Sequence, residues 1–338
     1  MIALIAFTRR GCALGRRLAE ALPGTLYTSA RLAEEEHLPA ARSLSDWAAA
    51  RFSDCEALVF VSAAGIAVRA IAPLVGDKFT DPAVVSVDEA GRFAVPLLSG
   101  HVGGGNALAR RIAALTGGQA AISTATDVNN RFAVDVWAKE QGLHLVERAA
   151  AKAVSAALLE GIPVGFCSQY PVAGTLPRGL TADKAEIGIV VADTAKGRPY
   201  PTTLHLVPKA VTLGIGCRRG IDPAPRILEV LDEAALPLEA VKAVASIDLK
   251  RDEPGLLAFA KAHGLETVFF SAQALGEEPG AFPASDLVCQ VTGVDNVCQR
   301  AAQRAGGRVF LPKTAGGGVT VAAAMGNILL SFPTEELL

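Results

Sequence analysis

Apolar residues in the first third of the chain fall alternately in short unbroken runs and at helical spacing. Residues 2–7 form a short apolar run, and Leu14, Leu18 and Leu22 then recur every four positions before Pro23-Gly24. A run followed by an amphipathic stripe reads as a strand and a helix, closed by a turn-forming pair. Residues 58–61 make a second buried run, and Ala64, Val68 and Ile71 mark a helix that ends before Pro73. Residues 84–87 and 93–95 flank Asp88-Glu89-Ala90-Gly91-Arg92, which predicts a hairpin. A loop at 99–105 then leads into a helix with Leu108, Ile112 and Leu115 on one face and Asn106 as its N-cap.

From about residue 141 to 208 the pattern weakens and prolines concentrate, punctuating short runs such as 187–191. This stretch reads as a connecting subdomain. Periodicity returns with a strand at 211–215, a Gly turn, a helix through Ile227, Leu228 and Leu231, and a strand at 241–247. A helix through Leu256, Leu257 and Ala260 and a strand at 268–270 follow. Alternating strands and helices predict parallel sheets with helices on their faces. The expected organisation is an N-terminal open parallel-sheet α/β domain (1–140), a small middle linker subdomain (141–208) and a C-terminal α/β domain (209–338).

A length of 338 residues fits two domains with a smaller piece between them. At 51% hydrophobic and 20% charged residues the chain has a globular composition. The net charge of −2 supplies no positive field for nucleic acid or an anionic membrane. The longest uncharged stretch, between Lys313 and Glu335, is broken by Gly316, Gly317, Gly318, Gly326 and Pro333, so it reads as core and not as a membrane span. The start of the chain is apolar first and basic second, the reverse of a secretory signal. Six scattered cysteines with no C-x-x-C pair predict reduced thiols, no structural zinc and a cytoplasmic protein.

The densest candidate site is Ser99-Gly100-His101-Val102-Gly103-Gly104-Gly105-Asn106 at a helix start. Its glycines permit close backbone approach, and free N–H groups there favour a carboxylate or phosphate. Histidine is the side chain suited to proton exchange near neutral pH, so His101 is the candidate acid or base; a hydrogen-bonded histidine in a Gly-rich turn is the plainer reading. Thr124-Ala125-Thr126-Asp127 follows Ala121-Ile122, where open sheets place ligands, although it would equally cap the next helix. Gly65 lies at a strand-to-helix junction, and Asp77, Lys78 and Asp81 form a compact charged set able to hold a polar substrate edge or to stand as a solvated turn.

In the second half, Leu213-Gly214-Ile215-Gly216-Cys217-Arg218-Arg219-Gly220 has the look of a dinucleotide loop but the wrong spacing. Arg218 and Arg219 fit bidentate carboxylate recognition or a solvated first turn. Cys217 reads as a buried structural thiol. Glu253 stands where it would cap the helix opened by Pro254. The markers of P-loop, serine-esterase and zinc-hydrolase chemistry are absent.

Six segments in this order resemble the cobalt-precorrin-5A hydrolase family of anaerobic cobalamin biosynthesis over nearly the whole chain. They are Gly65-Ile66-Ala67-Val68-Arg69-Ala70-Ile71-Ala72-Pro73, Asp77-Lys78-x-x-Asp81-Pro82-Ala83-Val84, Pro96-Leu97-Leu98-Ser99-Gly100-His101-Val102-Gly103-Gly104-x-Asn106, Thr124-Ala125-Thr126-Asp127, Leu213-Gly214-Ile215-Gly216-Cys217-Arg218-x-Gly220, and Ala245-Ser246-Ile247-Asp248-Leu249-Lys250-x-Asp252-Glu253-Pro254-Gly255-Leu256. The stretch 291–303 departs from the family pattern.

The resemblance implies a cobalt-bearing, multiply carboxylated corrinoid substrate with a δ-lactone joining the ring A acetate to C20. Water opens the lactone, and C20 leaves with its methyl group as acetaldehyde. No cofactor is implied, because the cobalt comes with the substrate. The expected partners are that small molecule and, transiently, other enzymes of the pathway. The candidate catalytic residues are His101 and Asp127. Candidate binding residues are Gly65, Lys78, Asp81, Ser99, Gly100, Gly103, Gly104, Gly105, Asn106, Thr124, Thr126, Gly214, Gly216 and Arg218, with Arg218 gripping carboxylates across a domain cleft. A non-catalytic tetrapyrrole carrier and a nucleotide- or S-adenosylmethionine-dependent enzyme remain as alternatives.

Overall fold

The computed structural model describes residues 1–77, 80–101, 103–129 and 131–332, without the side chains of Asp127 and Leu287. The chain divides into two compact units, Met1–Asn130 and Arg131–Leu338.

The first unit runs β1 (Ile2–Ala6), α1 (Arg9–Ala21), β2 (Gly24–Ser29), α2 (Ala30–Glu36), β3 (Ala40–Ala41), α3 (Leu44–Asp54), β4 (Ala57–Val61), α4 (Ala64–Ile71), β5 (Ala83–Val87), β6 (Phe93–Leu98), α5 (Gly105–Thr116), β7 (Gln119–Ala120) and α6 (Ala125–Val128). Among the described residues its strands form one sheet in the order β3-β2-β1-β4-β5-β6-β7. Every residue of β4 and β5 is buried, because helices cover both faces. Leu14 and Leu18 of α1 and Leu108 and Ile112 of α5 pack on one face. Trp47 of α3 and Ala67, Ala70 and Ile71 of α4 pack on the other. The buried stripe of α4 is therefore displaced from the expected one, and Val68 is 48% exposed.

The sheet is parallel except where β6 turns back antiparallel to β5, pairing Val84 with Leu98 and Val87 with Ala94. Strand β7 then runs parallel to β6. Consequently the loops after β6 and β7 emerge at the edge where β4 and β5 begin.

The second unit runs α7 (Val134–Glu140), β8 (Leu143–Leu145), α8 (Arg148–Glu160), β9 (Val164–Ser168), β10 (Val172–Ala173), β11 (Leu180–Thr181), β12 (Ile187–Val191), β13 (Thr202–Pro208), β14 (Val211–Cys217), α9 (Ala224–Glu233), β15 (Val241–Ile247), α10 (Pro254–Ala262), β16 (Glu266–Phe270), α11 (Ala272–Gly276), α12 (Asp286–Thr292), α13 (Val297–Gly306), β17 (Arg308–Gly316), β18 (Val319–Met325) and β19 (Leu330–Ser331). Residues 141–208 are more than a connector. They build a sheet in the order β11-β9-β12-β13-β8, with a core that includes Val154, Ile189 and Leu204. Helix α7, expected at the end of the first domain, belongs here: Trp137 is buried in that core and donates its indole N–H to the Ser331 carbonyl at 2.8 Å.

The last sheet has the order β16-β15-β14-β18-β17. It is mixed, since β18 lies antiparallel to β14 and to β17. Helix α13 crosses β14 so closely that a Cβ on Gly214 would stand 1.8 Å from the Cys298 carbonyl oxygen. Glycine is required there by packing. Gly214→Ala should lower the urea midpoint of the second unit, with a loss of about 3 kcal/mol or more, because backbone has to move to admit the methyl group. An unchanged midpoint would show that α13 can shift without cost.

Candidate active site

Two loops meet at the carboxyl ends of β6 and β7. His101 Nε2 lies 2.8 Å from Thr126 Oγ1, and Asn106 donates from Nδ2 to Thr124 Oγ1 at 2.9 Å. The donor in the first pair depends on the imidazole tautomer. Asn106 is not the helix cap. Gly104, in the left-handed region at φ 88°, holds that position, and Asn106 is buried in the first turn of α5.

The loop spends much of its backbone on itself. The N–H groups of Gly104, Gly105 and Asn106 donate to the carbonyls of His101, Ser99 and Gly100, so these three are not the free N–H groups expected to receive a carboxylate or phosphate. A Cβ on Gly103 would stand 2.2 Å from Ser99 Cβ, and Ser99 has a φ of 51°. The glycines here allow a tight coil, which holds His101 half-buried at its tip.

Ser99 Oγ donates to the Asp81 carbonyl at 2.9 Å, which ties the loop to the segment before β5. The Asp81 carboxylate accepts from the N–H groups of Gly76 and Asp77, so it closes its own turn. Gly65 follows β4 and lies at the opposite edge of the sheet from His101. It is exposed and separate from this cluster. Lys78 and the side chain of Asp127 lie outside the described residues; the Asp127 backbone is in α6.

The second unit contains a cavity of about 480 Å³ at the carboxyl ends of β14 and β15, lined in part by Gly216, Cys217, Arg218, Lys250, Lys313 and Thr320. Gly216 and Arg218 thus lie on it, whereas Gly214 serves the contact with α13. The dinucleotide-loop reading falls on the same geometry, since the helix packed on Gly214 is α13 and the next helix, α9, starts only at Ala224. Burial pushes the Cys217 thiol up, against the opposing pull of Lys250, but the residue is only partly buried and faces the cavity, so the expected buried thiol is instead an accessible one.

Lys250 and Lys313 were missed as site residues. Lys250 ends the single 3-10 turn Asp248–Lys250 that follows β15, a position near a strand end that could have marked it, but Lys313 comes from β17 and only the sheet order brings it here. The stretch 291–303 supplies Val291, Thr292, Val297 and Cys298 to the same lining.

Residues 46–127 match the family described as cobalamin synthesis G N-terminal, 132–208 the cobalamin biosynthesis central region, and 211–324 the cobalamin synthesis G C-terminus. A cobalt-precorrin-5A hydrolase of Salmonella typhimurium is 38% identical over 319 residues, 89% of this chain and 90% of that one. The chain belongs to the cobalt-precorrin-5A hydrolase family. A second family member, from Priestia megaterium, is 31% identical over 298 residues, 81% of this chain and 79% of that one. The solved structure of CobE, a protein from the cobalamin (vitamin B12) biosynthetic pathway, is 32% identical and covers 33% of this chain and 87% of that one, with a TM-score of 0.31. Among the described residues no helix is long and apolar enough to cross a membrane.

Glu253, only 2% exposed, ties the family's two C-terminal motifs together. It stands at the N-cap position of α10, as expected, but its side chain makes no cap hydrogen bond there. Its carboxylate accepts from Lys250 Nζ at 2.8 Å and from the Gly220 N–H at 2.7 Å. The Lys250 hydrogen bond, with help from Gly220, holds the Glu253 carboxyl below the usual range despite the opposing effect of burial. A carboxyl depressed in the folded state stabilises above its ordinary pKa, and that contribution is lost as pH falls through the folded value. Glu253→Gln should therefore be less stable than the parent at neutral pH and converge with it in acid. Melting temperatures measured across the acid range check this, and a pH-independent difference would contradict the ionic account.

Proposed function

We propose that the protein hydrolyses cobalt-precorrin-5A to cobalt-precorrin-5B and acetaldehyde, acting in the cytoplasm between other enzymes of the pathway. Family membership supports the substrate. The observation that carries the placement of the chemistry is the His101 Nε2 contact with Thr126 Oγ1, which joins the two loops where a proton carrier is needed.

The reaction consumes one water. Its oxygen joins the acyl carbon of the ring A lactone, and the lactone C–O bond breaks to leave a carboxylate and a hydroxyl on C20. That hydroxyl gives up its proton to solvent and becomes the carbonyl of acetaldehyde as the C–C bond to the macrocycle breaks. The electron pair stays on the macrocycle, where a proton completes the product.

A base is required first and an acid last, and His101 serves both steps. When the Thr126 hydroxyl donates to Nε2, the imidazole draws a proton from water through that hydroxyl. The imidazolium so formed donates in the return direction. Asp127 is the alternate proton carrier, and Ser99, Gly100, Asn106 and Thr124 shape the loop around the substrate. A carrier without turnover would need no proton relay of this kind.

The cobalt is expected to enter with the substrate, with no resident metal in the protein. Elemental analysis should find no stoichiometric metal in the purified protein; tightly bound zinc or iron would overturn this part.

His101→Asn keeps a polar side chain but removes the proton carrier. Acetaldehyde release should fall by about 10²–10⁴-fold, with melting temperature and corrinoid affinity preserved. Near-normal release per folded molecule would remove His101 from the mechanism and leave Asp127 as the candidate.

A further inference from the structure

The cavity in the second unit carries an imbalance of charge. Arg218, Arg219, Lys250 and Lys313 line it, and among the described residues no Asp or Glu does. Two of these cations are matched from outside the lining: Lys250 by Glu253 at 2.8 Å and Arg219, loosely, by Asp252 at 3.7 Å. Among the described residues Arg218 and Lys313 have no carboxylate partner. The stem of Arg218 is set against the β17–β18 turn: its N–H donates to the Gly318 carbonyl at 2.9 Å, and a Cβ on Gly318 would meet its Cδ at 3.2 Å.

The rest of the lining is apolar, and it continues outward. Leu249 and Val291 are 51% and 70% exposed, on the two sides formed by the end of β15 and by α12. Large apolar side chains left in water beside unmatched cations fit a ligand that has both an apolar face and carboxylates. A volume of about 480 Å³ holds the edge of a corrinoid and one or two of its acid side chains.

We infer that this cavity is a recognition site for the carboxylated edge of the macrocycle, in which Arg218 and Lys313 take peripheral carboxylates and Leu249 and Val291 cover an apolar ring face. The inference rests on the corrinoid reading above and extends it from Arg218 to Lys313, α12 and the glycine turn that directs Arg218.

The test uses the full chain and cobyrinic acid, a stable corrinoid with free carboxylates, beside its fully methyl-esterified form. The acid should bind with an affinity that falls as salt rises, and the ester should bind at least about tenfold more weakly. Arg218→Gln and Lys313→Gln should each weaken the acid about tenfold with the melting temperature unchanged. Cys217 lines the cavity and Cys167 does not. Saturation with the acid should therefore slow alkylation of Cys217, read by mass spectrometry, and leave Cys167 as it was.

Equal binding of acid and ester would overturn the inference, as would unprotected Cys217 in the saturated protein. The Cys217 measurement uses the unmutated chain, so it decides even if a variant fails to fold. Normal acetaldehyde release with Cys217 unprotected would reject this cavity and keep the hydrolase reading. Charge-dependent binding with protection but no release would keep the cavity and reject the hydrolase.

Discussion

Asp88 closes the turn between β5 and β6 with both carboxylate oxygens, one accepting from the Ala90 N–H at 2.9 Å and the other from the Phe93 N–H at 2.7 Å. Gly91 completes that turn at φ 71°. The reversal places Leu98 beside Val84, so the His101 loop emerges next to Asp81 at the beginning of β5. Strand β7 follows β6 and delivers Thr124 and Thr126 to the same edge. A parallel β6 would have left His101 at the far edge, with Gly65. Every distance in the first site depends on this one change of direction.

Both units then use a carboxylate to hold a loop by its backbone. Asp81 accepts from Gly76 and Asp77, while Glu253 accepts from Gly220 and pairs with Lys250. A carboxylate bound to N–H groups fixes main chain rather than substrate, which accounts for acidic residues inside motifs whose ligand carries acids itself. Such support restricts the loops before any substrate arrives, and a site held within a fraction of an ångström is what proton transfer and carboxylate recognition require.

The sequence was most legible where one local rule decided the outcome. Short buried runs located β4, β5, β12, β14 and β15, and the Asp88 segment announced its hairpin. It was less legible where small residues blur the period. The Ala-rich β18 and its partner β17 read only as a Gly-broken core segment, and residues 24–54 hold the largely polar, half-buried β2 and a β3 of only two residues. Within the sites, the Gly-rich loop and the Thr124 segment were visible as motifs. That they touch through His101 and Asn106 was not, because the contact depends on strand direction. Likewise the glycine at 214 suggested a ligand, and its partner proved to be α13, a helix no local pattern connects to it.

The placement of β18 and β19 bears on how the chain is made. Strand β14 has β18 as a sheet neighbour, and the pairing of Val172 with Leu330 joins β10 to β19. Hydrogen-bonding edges of β14 and β10 therefore stay unpaired on a ribosome until residues 319–331 emerge, whereas the first unit draws all its strands from residues 2–120. Long-range pairing of this kind is slow and leaves strand edges open to neighbouring chains. During synthesis the half that carries His101 can close early, and the half that carries Arg218 and Lys313 is the one that needs protection from aggregation.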